Sequence, residues 1–187
     1  HAGSHRRGKE TIGDIDILIR TDADETDRQK MAEAFTKLSL VTEVLAEGPT
    51  KASARMQCHP DSPEIQVDLR MVPTASFGAA LMYFTGSKEH NVRLRARAQD
   101  RNLSLNEYGL WKGKAPQQGQ GDPDQYIAGA TEEDVFAALD LAYVPPERRE
   151  DRGEVDHAQS AFKSRSRKPP KLVTTDEIIS DIDTETT

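Results

Sequence analysis

The segment "DIDILIR" at residues 14–20 constrains the fold most, because it alternates acidic and apolar residues with a period of two. Successive side chains on a β-strand point to opposite faces of the sheet. The pattern therefore predicts a strand whose isoleucines lie on one face, while Asp14 and Asp16 share the other face. A fold built on this strand needs a sheet with one buried apolar face and one face that carries carboxylates.

A second segment, "EIQVDLRMV" at residues 64–72, alternates in the same way and predicts another strand, with Asp68 on its polar face. Two carboxylates at i and i+2 lie about 6.6 Å apart along a strand. With a third carboxylate on a neighbouring strand, they predict a site for two divalent ions about 3.5–4 Å apart, an arrangement that serves phosphoryl transfer. Hard oxygen ligands favour Mg²⁺ or Mn²⁺ at such a site.

A Gly-Ser pair and a basic cluster precede the first strand. The Gly3-Ser4 turn offers backbone amides and a hydroxyl, and Arg7 offers a guanidinium that can grip phosphate oxygens. Alternating aspartates are more often a solvated strand face, and paired arginines beside a turn are more often plain surface. The strings Gly-Ser, Arg-Arg-Gly and Gly-Asp-Ile-Asp at fixed offsets, followed by Val-Asp-Leu-Arg, favour the site over that simpler interpretation.

The rest of the chain alternates predicted helices with short strands. The predicted elements are a helix at 26–38 with Thr26 as N-cap, strands at 41–46 and 52–58, a helix at 74–84, a turn at 85–91, an arginine-rich helix at 91–101, a loop at 112–125 and a helix that starts at Thr131.

Composition limits the function classes. The 187 residues are 35% hydrophobic, and no apolar run approaches the roughly 18 residues of a membrane span, so we expect no membrane partner. The single cysteine, Cys58, excludes an internal disulfide and favours a reducing cytoplasmic setting. A net charge of −7 argues against a uniformly basic nucleic-acid surface. Because the chain opens with His1 directly before a turn, we expect upstream residues to be missing.

At this point the sequence resembles the X family of DNA polymerases, the polymerase-beta-like group, and in particular its bacterial branch. The strings that carry the resemblance are "AGSHRRGKETIGDIDILI", "QVDLRMVP", "SFGAALMYFTGSKEHNVRLRARAQDRNLSLNEYGL" and "TEEDVFAALDLAYVPPERREDRGEV", which cover most of residues 2–155. The string "YFTGS" followed by an asparagine and an arginine-rich helix is characteristic of these polymerases. The resemblance implies an α+β fold: a nucleotidyltransferase-fold palm with a mixed sheet and flanking helices, plus a small α/β nucleotide-selecting subdomain.

The resemblance also implies a division of the chain. We expect the palm at 1–72, the nucleotide-selecting subdomain at 73–150, a linker at 151–171 and the start of a truncated PHP-like phosphoesterase domain at 172–187. The tail "SDIDTETT" resembles the first PHP motif, although Asp183 and Glu185 stand where that motif has histidines. An acidic terminus that merely aligns with the motif is an equal alternative.

Roles for individual residues follow from the resemblance by position. Asp14 and Asp16 correspond to ligands of both metal ions, and Asp68 to a ligand of the catalytic ion alone. The nucleotide-binding positions are Gly3, Ser4, Arg7 and Gly13 for the triphosphate, Tyr83, Phe84 and Gly86 for the sugar, and Asn91 for the base. The DNA-binding positions are Arg95, in contact with the template side, and its neighbours Arg93 and Arg97.

The function implied is a two-metal DNA-directed DNA polymerase that uses dNTPs and a primer-template, with gapped DNA in repair as the expected substrate, in the cytoplasm at the bacterial nucleoid. A nucleotidyltransferase of small substrates is the first alternative, but it would have no use for Asn91, Arg95 and the arginine-rich helix. An inactive nucleotide-binding or DNA-binding fragment is the second.

Overall fold

The computed structural model describes residues 1–116 and 121–166. Within those ranges, no helix is long and apolar enough to cross a membrane. The described residues form two sheets, each with its own apolar core and its own helices. This α+β arrangement is the fold class that the sequence predicts.

The first sheet contains four strands in the order β1-β4-β3-β2. Strands β1 and β4 are parallel, whereas β3 pairs antiparallel with both β4 and β2, so the sheet is mixed. The elements of this half are α1 (Gly3–Arg6), β1 (Asp14–Arg20), α2 (Glu25–Thr36), β2 (Val41–Glu47), β3 (Lys51–Met56) and β4 (Ile65–Val72).

The core of the first half lies between the sheet and α2. Ala32 and Phe35 of α2 pack on the buried face of β3 and β4, and the isoleucines of β1 border the same cluster. Apolar burial of this kind contributes about 25 cal/mol per Å². The packing of these apolar residues confirms the predicted alternation of β1 and β4, and it leaves the carboxylates on the opposite face of the sheet.

The second half joins a three-stranded antiparallel sheet to four helices. Its core includes Met82, Leu94, Leu110 and Phe136, which are nearly or fully buried. The elements are α3 (Phe77–Thr85), α4 (Lys88–Gln99), β5 (Leu103–Asn106), β6 (Gly109–Lys112), β7 (Tyr126–Ala128), α5 (Glu132–Ala138) and α6 (Glu154–Ser166).

Two helices begin earlier than predicted because other residues cap them. Asp24, not Thr26, caps α2, since its side chain accepts a hydrogen bond of 2.9 Å from the Asp27 amide. Ser87 caps α4 by accepting from the His90 amide at 3.2 Å, so most of the predicted turn at 85–91 is helix. Thr131 caps α5 as predicted.

Two further predictions are wrong in part. The loop at 112–125 ends in a 3₁₀ turn that leads into β7, and the sequence analysis located none of β5, β6 and β7. The range 151–171, predicted as a linker, contains helix α6 at Glu154–Ser166, with Val155 and Ala158 buried in the second core. Residues 167–171 and the PHP-like tail at 172–187 lie outside the described residues.

An ion network at Glu132 joins the two halves. Arg6 of α1 donates to both Glu132 oxygens, at 2.7 and 2.8 Å, and Arg149 donates to the same two oxygens, at 2.6 and 3.1 Å. Arg149 is completely buried, and Glu132 is nearly so. Burial alone would raise the pKa of Glu132, but the hydrogen bonds from the two guanidinium groups outweigh it and lower that pKa to about 2.

We predict that the protein loses stability at acidic pH as Glu132 becomes protonated. Its pKa in the folded state, about 2, lies below its ordinary value of 4.5, so its contribution is present above pH 4.5 and is lost as the pH falls toward 2. That contribution is about 3 kcal/mol. Urea unfolding should show that the difference in the free energy of unfolding between the parent and Glu132→Gln decreases below pH 4.5. A difference that stays constant down to pH 3 would contradict the prediction.

Candidate active site

The three predicted carboxylates lie on the polar face of two adjacent strands. The parallel register of β1 and β4 places Asp16 opposite Asp68 and Asp14 opposite Gln66. Asp14 is exposed, Asp16 is half-buried and Asp68 is buried. The sheet therefore brings together the carboxylates that the sequence singled out.

Asp68 has hydrogen-bond partners on the neighbouring strand β3 and on its own strand β4. The Ser53 hydroxyl of β3 donates to its Oδ1, the Gln66 amide donates to the same oxygen at 3.2 Å, and Lys51 Nζ lies 3.5 Å from its Oδ2. Burial raises the pKa of Asp68, but these hydrogen bonds from Ser53 and Gln66, with the Lys51 charge, bring it below its ordinary value. Asp68 is therefore held as a carboxylate.

Asp16 is in the opposite situation. Burial raises its pKa, and the charges of Asp14 and Asp68 raise it further, against the weaker effect of Arg70 and Lys51. A bound cation would relieve that repulsion.

Gly3 and Ser4 begin the short helix α1 rather than forming the predicted turn, and Gly3 packs directly on Asp16. Gly3 has φ +65°, and a Cβ at this position would overlap Asp16 Oδ2. The Ala2 amide also donates to the Asp16 carbonyl at 2.9 Å. The short distance in sequence between the Gly-Ser pair and the two aspartates thus reflects a contact, and only glycine fits it.

The donor set fits a hard divalent cation in kind, since it consists of carboxylate oxygens. In the described part of the chain, however, no group of three or more His, Cys, Asp or Glu side chains already surrounds one point as a metal would require. The oxygens of Asp68 are engaged by Ser53, Gln66 and Lys51. Binding of a metal to all three carboxylates would require Asp68 to exchange those partners.

A cleft of about 420 Å³ opens beside Asp14 and Asp16 and runs between the two halves of the chain. Its lining contains most of the residues predicted from the sequence. From the first half they are Gly3, Ser4, Arg7, Asp14 and Asp16, and from the second half Tyr83, Phe84, Gly86, Asn91 and Arg95. Gly13, just before β1, is exposed and is not part of this lining.

The wall from the second half is formed by the end of α3 and the start of α4. Asn91 Nδ2 donates to the Tyr83 carbonyl at 2.7 Å, which ties the two helices together beside the cleft. Gly86 has φ +71°, and a Cβ there would lie 3.1 Å from Arg7 Nη1. Glycine at this position therefore lets Arg7 approach the turn.

The arginines of α4 differ in what they contact. Arg97 donates to the Leu139 carbonyl at 2.7 Å, to the Asp140 carbonyl at 3.2 Å and to Gln159 Oε1 at 3.0 Å. Arg93 pairs with Asp151 and Asp156. Arg95 instead lines the cleft. Arg97 and Arg93 are thus engaged within the protein, whereas Arg95 is the arginine of α4 in the lining of the cleft.

Several site residues were missed by the sequence analysis. Thr85 and Lys88 line the cleft, and Ser53 and Lys51 contact Asp68. The signal for Ser53 was present, since alternation in a predicted strand near 52–58 puts every second residue on the carboxylate face. Its position opposite Asp68 depends on strand register, which the sequence alone leaves open.

A mixed sheet with carboxylates on adjacent strands, Gly3 of α1 against one of them and a cleft shared with a second α/β unit match the nucleotidyltransferase-fold palm and second subdomain that the resemblance implies. The family model of the DNA polymerase beta palm matches residues 1–73, and that of the DNA polymerase beta thumb matches residues 80–150. The chain belongs to the X family of DNA polymerases, the polymerase-beta-like group. Polymerases of this family are metal-dependent.

Among curated proteins, the chain is 34% identical over 155 residues to DNA polymerase/3'-5' exonuclease PolX of Bacillus subtilis, which covers 83% of this chain and 25% of that protein. It is 31% identical over 166 residues to DNA polymerase lambda of Rattus norvegicus, covering 79% of this chain and 28% of that protein. The chain thus spans about a quarter of the length of these relatives.

Among solved structures, the chain resembles Leishmania infantum polymerase beta. The ternary P/T complex matches with a TM-score of 0.66 at 29% identity, over 80% of this chain and 66% of that one. The ternary gap complex matches with a TM-score of 0.64 at 25% identity, over 80% of this chain and 61% of that one.

We predict that Gly3→Ala damages the site more than Gly8→Ala does. Both glycines have a positive φ, +65° and +70°, but no atom lies within 4 Å of a Cβ at Gly8. Both variants should lose about 1–2 kcal/mol from backbone strain. Gly3→Ala should lose more, because it also displaces Asp16.

The measurement is urea unfolding of both variants, with titration of Mg²⁺-dNTP to follow the site. Equal losses of stability and equal nucleotide affinities would show that the contact between Gly3 and Asp16 is unimportant.

Proposed function

We propose that this chain contains the palm and nucleotide-selecting subdomain of a DNA-directed DNA polymerase. It joins a deoxynucleotide to a primer 3′-hydroxyl, releases pyrophosphate and acts in gap-filling repair. The main support is the register that places Asp16 opposite Asp68, beside a cleft shared by Ser4, Arg7 and Asn91.

Two Mg²⁺ or Mn²⁺ ions are the proposed cofactors, held by Asp14, Asp16 and Asp68. When bound, they would activate the primer hydroxyl and neutralise charge on the triphosphate. The raised pKa of Asp16 beside two like charges supports a cation at this position. Carboxylate oxygens favour these hard ions over softer metals.

The nucleotide is proposed to lie along the cleft. Ser4, Arg7 and the backbone near Gly13 bind its triphosphate, since a hydroxyl, a guanidinium and amide groups all donate to phosphate oxygens. Tyr83, Phe84 and Gly86 lie against the sugar, and Asn91 contacts the base.

DNA is the proposed second partner. The solved relatives are described as ternary P/T and gap complexes, which fits a primer-template with a gap. Asn91 and Arg95 line the cleft from the second half of the chain, and a nucleotidyltransferase of small substrates would not need them. The proposed location is the cytoplasm, at the nucleoid, where such a DNA partner would lie in a bacterium.

The direct test is extension of a labelled primer across a one-nucleotide gap, with Mg²⁺ and with Mn²⁺. We expect addition of the templated nucleotide and release of pyrophosphate. Nucleotide binding without extension under either ion would favour a binding role over catalysis.

We predict that Asp68 and Asp16 differ in what their loss removes. Asp68→Ala should slow insertion about 10²–10⁴-fold, because Asp68 serves the ion that activates the nucleophile and helps to accept its proton. Nucleotide affinity should persist, since Asp14, Asp16 and Arg7 remain. Asp16→Ala should damage both affinity and rate.

Single-turnover insertion and Mg²⁺-dNTP titration of both variants test this division. Asp27→Ala, at an exposed aspartate of α2, is the control for the loss of a carboxylate. Parent rates for Asp68→Ala would refute the role of Asp68, and equal losses of affinity in the two site variants would refute the division between them.

We also predict different outcomes for two neighbouring arginines of α4. Arg95→Ala should weaken DNA binding and lower the slope of log K against log salt by about 1, because one phosphate contact is lost. Arg97→Ala should leave that slope unchanged but cost about 1–3 kcal/mol of stability, because it removes hydrogen bonds to Leu139 and Gln159.

Fluorescence anisotropy on gapped DNA across a salt series, together with urea unfolding, distinguishes the two arginines. The prediction fails if Arg97→Ala changes the salt slope as much as Arg95→Ala does.

A further inference from the structure

We infer that Glu150 is a positioning residue for Arg7, and that it orients the Arg7 guanidinium toward the triphosphate before the nucleotide arrives. The inference rests on the proposed function, in which Arg7 binds that triphosphate. It adds a residue that lies 143 positions away in the sequence from the arginine it orients.

Arg7 is held from two directions. Its Nε donates to Glu150 Oε1 at 2.9 Å, and its Nη1 donates to the Thr85 carbonyl at 2.5 Å. A guanidinium has five N–H groups in one rigid plane, so fixing two of them fixes the direction of the other three. Because Arg7 lines the cleft beside Gly86, those three groups are available to phosphate oxygens there.

Glu150 can orient another side chain because its own backbone is anchored. The preceding residue, Arg149, is completely buried, with Nε donating to the Val144 carbonyl at 2.9 Å and both terminal nitrogens bonded to Glu132. The Arg149 carbonyl also accepts from the Ser87 amide at 3.0 Å. The backbone next to Glu150 is therefore anchored both to the ion network and to the cleft wall.

The second oxygen of Glu150 binds Lys9, whose Nζ lies 2.9 Å from Oε2. One carboxylate thus holds two cations of the segment that follows the Gly-Ser turn. The negative charge of Glu150 repels an incoming triphosphate. The hydrogen bond from Arg7 to Glu150, however, already restricts the Arg7 side chain, so that less side-chain entropy is lost when the nucleotide binds. Orientation dominates, because the bonds to Glu150 and to the Thr85 carbonyl leave three N–H groups of Arg7 for the cleft and the pair is only partly exposed, at 15% and 20%.

Three substitutions of Glu150 separate orientation from charge. Glu150→Gln keeps an oxygen that can accept from Arg7 Nε but removes the charge. Glu150→Asp keeps the charge but is one methylene too short to keep the 2.9 Å contact without movement of the backbone. Glu150→Ala removes both the contact and the charge.

The experiment is calorimetric titration of the full chain with Mg²⁺-dATP. If Glu150 orients Arg7, Glu150→Ala and Glu150→Asp should both raise the Kd about 3–10-fold, the range expected when one side chain must be ordered on binding. Glu150→Gln should stay within about 2-fold of the parent, since the amide oxygen restores the bond. Glu43→Ala, at a glutamate of β2 that pairs with Arg55, is the control and should match the parent.

Arg7→Ala in the same titration distinguishes failure of this inference from failure of the proposed function. An Arg7→Ala variant that binds like the parent overturns the role of Arg7, and the role of Glu150 with it. If Arg7→Ala binds weakly while Glu150→Ala and Glu150→Gln bind as tightly as the parent or more tightly, Glu150 is a brake on Arg7 or a bystander, and the inference is wrong. Circular dichroism verifies the fold of each variant; should Glu150→Ala unfold, the contrast between Glu150→Asp and Glu150→Gln decides alone.

Discussion

The structure depends on the pairing of one buried carboxylate, Glu132, with two guanidinium groups. A buried ion that loses a partner typically costs 3–5 kcal/mol, so Arg6 and Arg149 must both be in place. Arg6 ends α1 beside the carboxylate site, whereas Arg149 precedes the last described helix. The network therefore holds together three parts of the chain that are distant in sequence, and it does so next to the cleft.

The two walls of the cleft follow from that network. Arg6 also donates to the Thr85 hydroxyl at 2.8 Å, and the Arg149 carbonyl accepts from the Ser87 amide. These contacts fix both sides of Gly86, the residue against which Arg7 lies. The residues proposed to bind phosphate and those proposed to bind sugar and base thus share one buried ionic anchor, although they come from different halves of the chain.

The features that could be predicted from the sequence are those that depend on residues close together along the chain. Alternation in β1 and β4 is local, and it correctly placed Asp14, Asp16 and Asp68 on one face. Strands β5 to β7 have only three or four residues each, too few for a periodic signal, and the polar residues of α6 hid its buried apolar residues, Val155 and Ala158. Glu150 could not have been predicted, because its contact with Arg7 exists only once the halves have packed together.

The carboxylate site shows the same dependence on packing. Asp16 and Asp68 are the same kind of residue on paired strands, yet burial and like charges raise the pKa of the first, while donors from Ser53 and Gln66 lower that of the second. The difference arises because Ser53 and Lys51 of β3 and Gln66 of β4 donate to Asp68, whereas Asp16 faces Gly3 of α1. A cation would therefore relieve repulsion at Asp16 but compete with these donors at Asp68. Two aspartates that the sequence presents as equivalent are thus prepared by their neighbours for unequal roles.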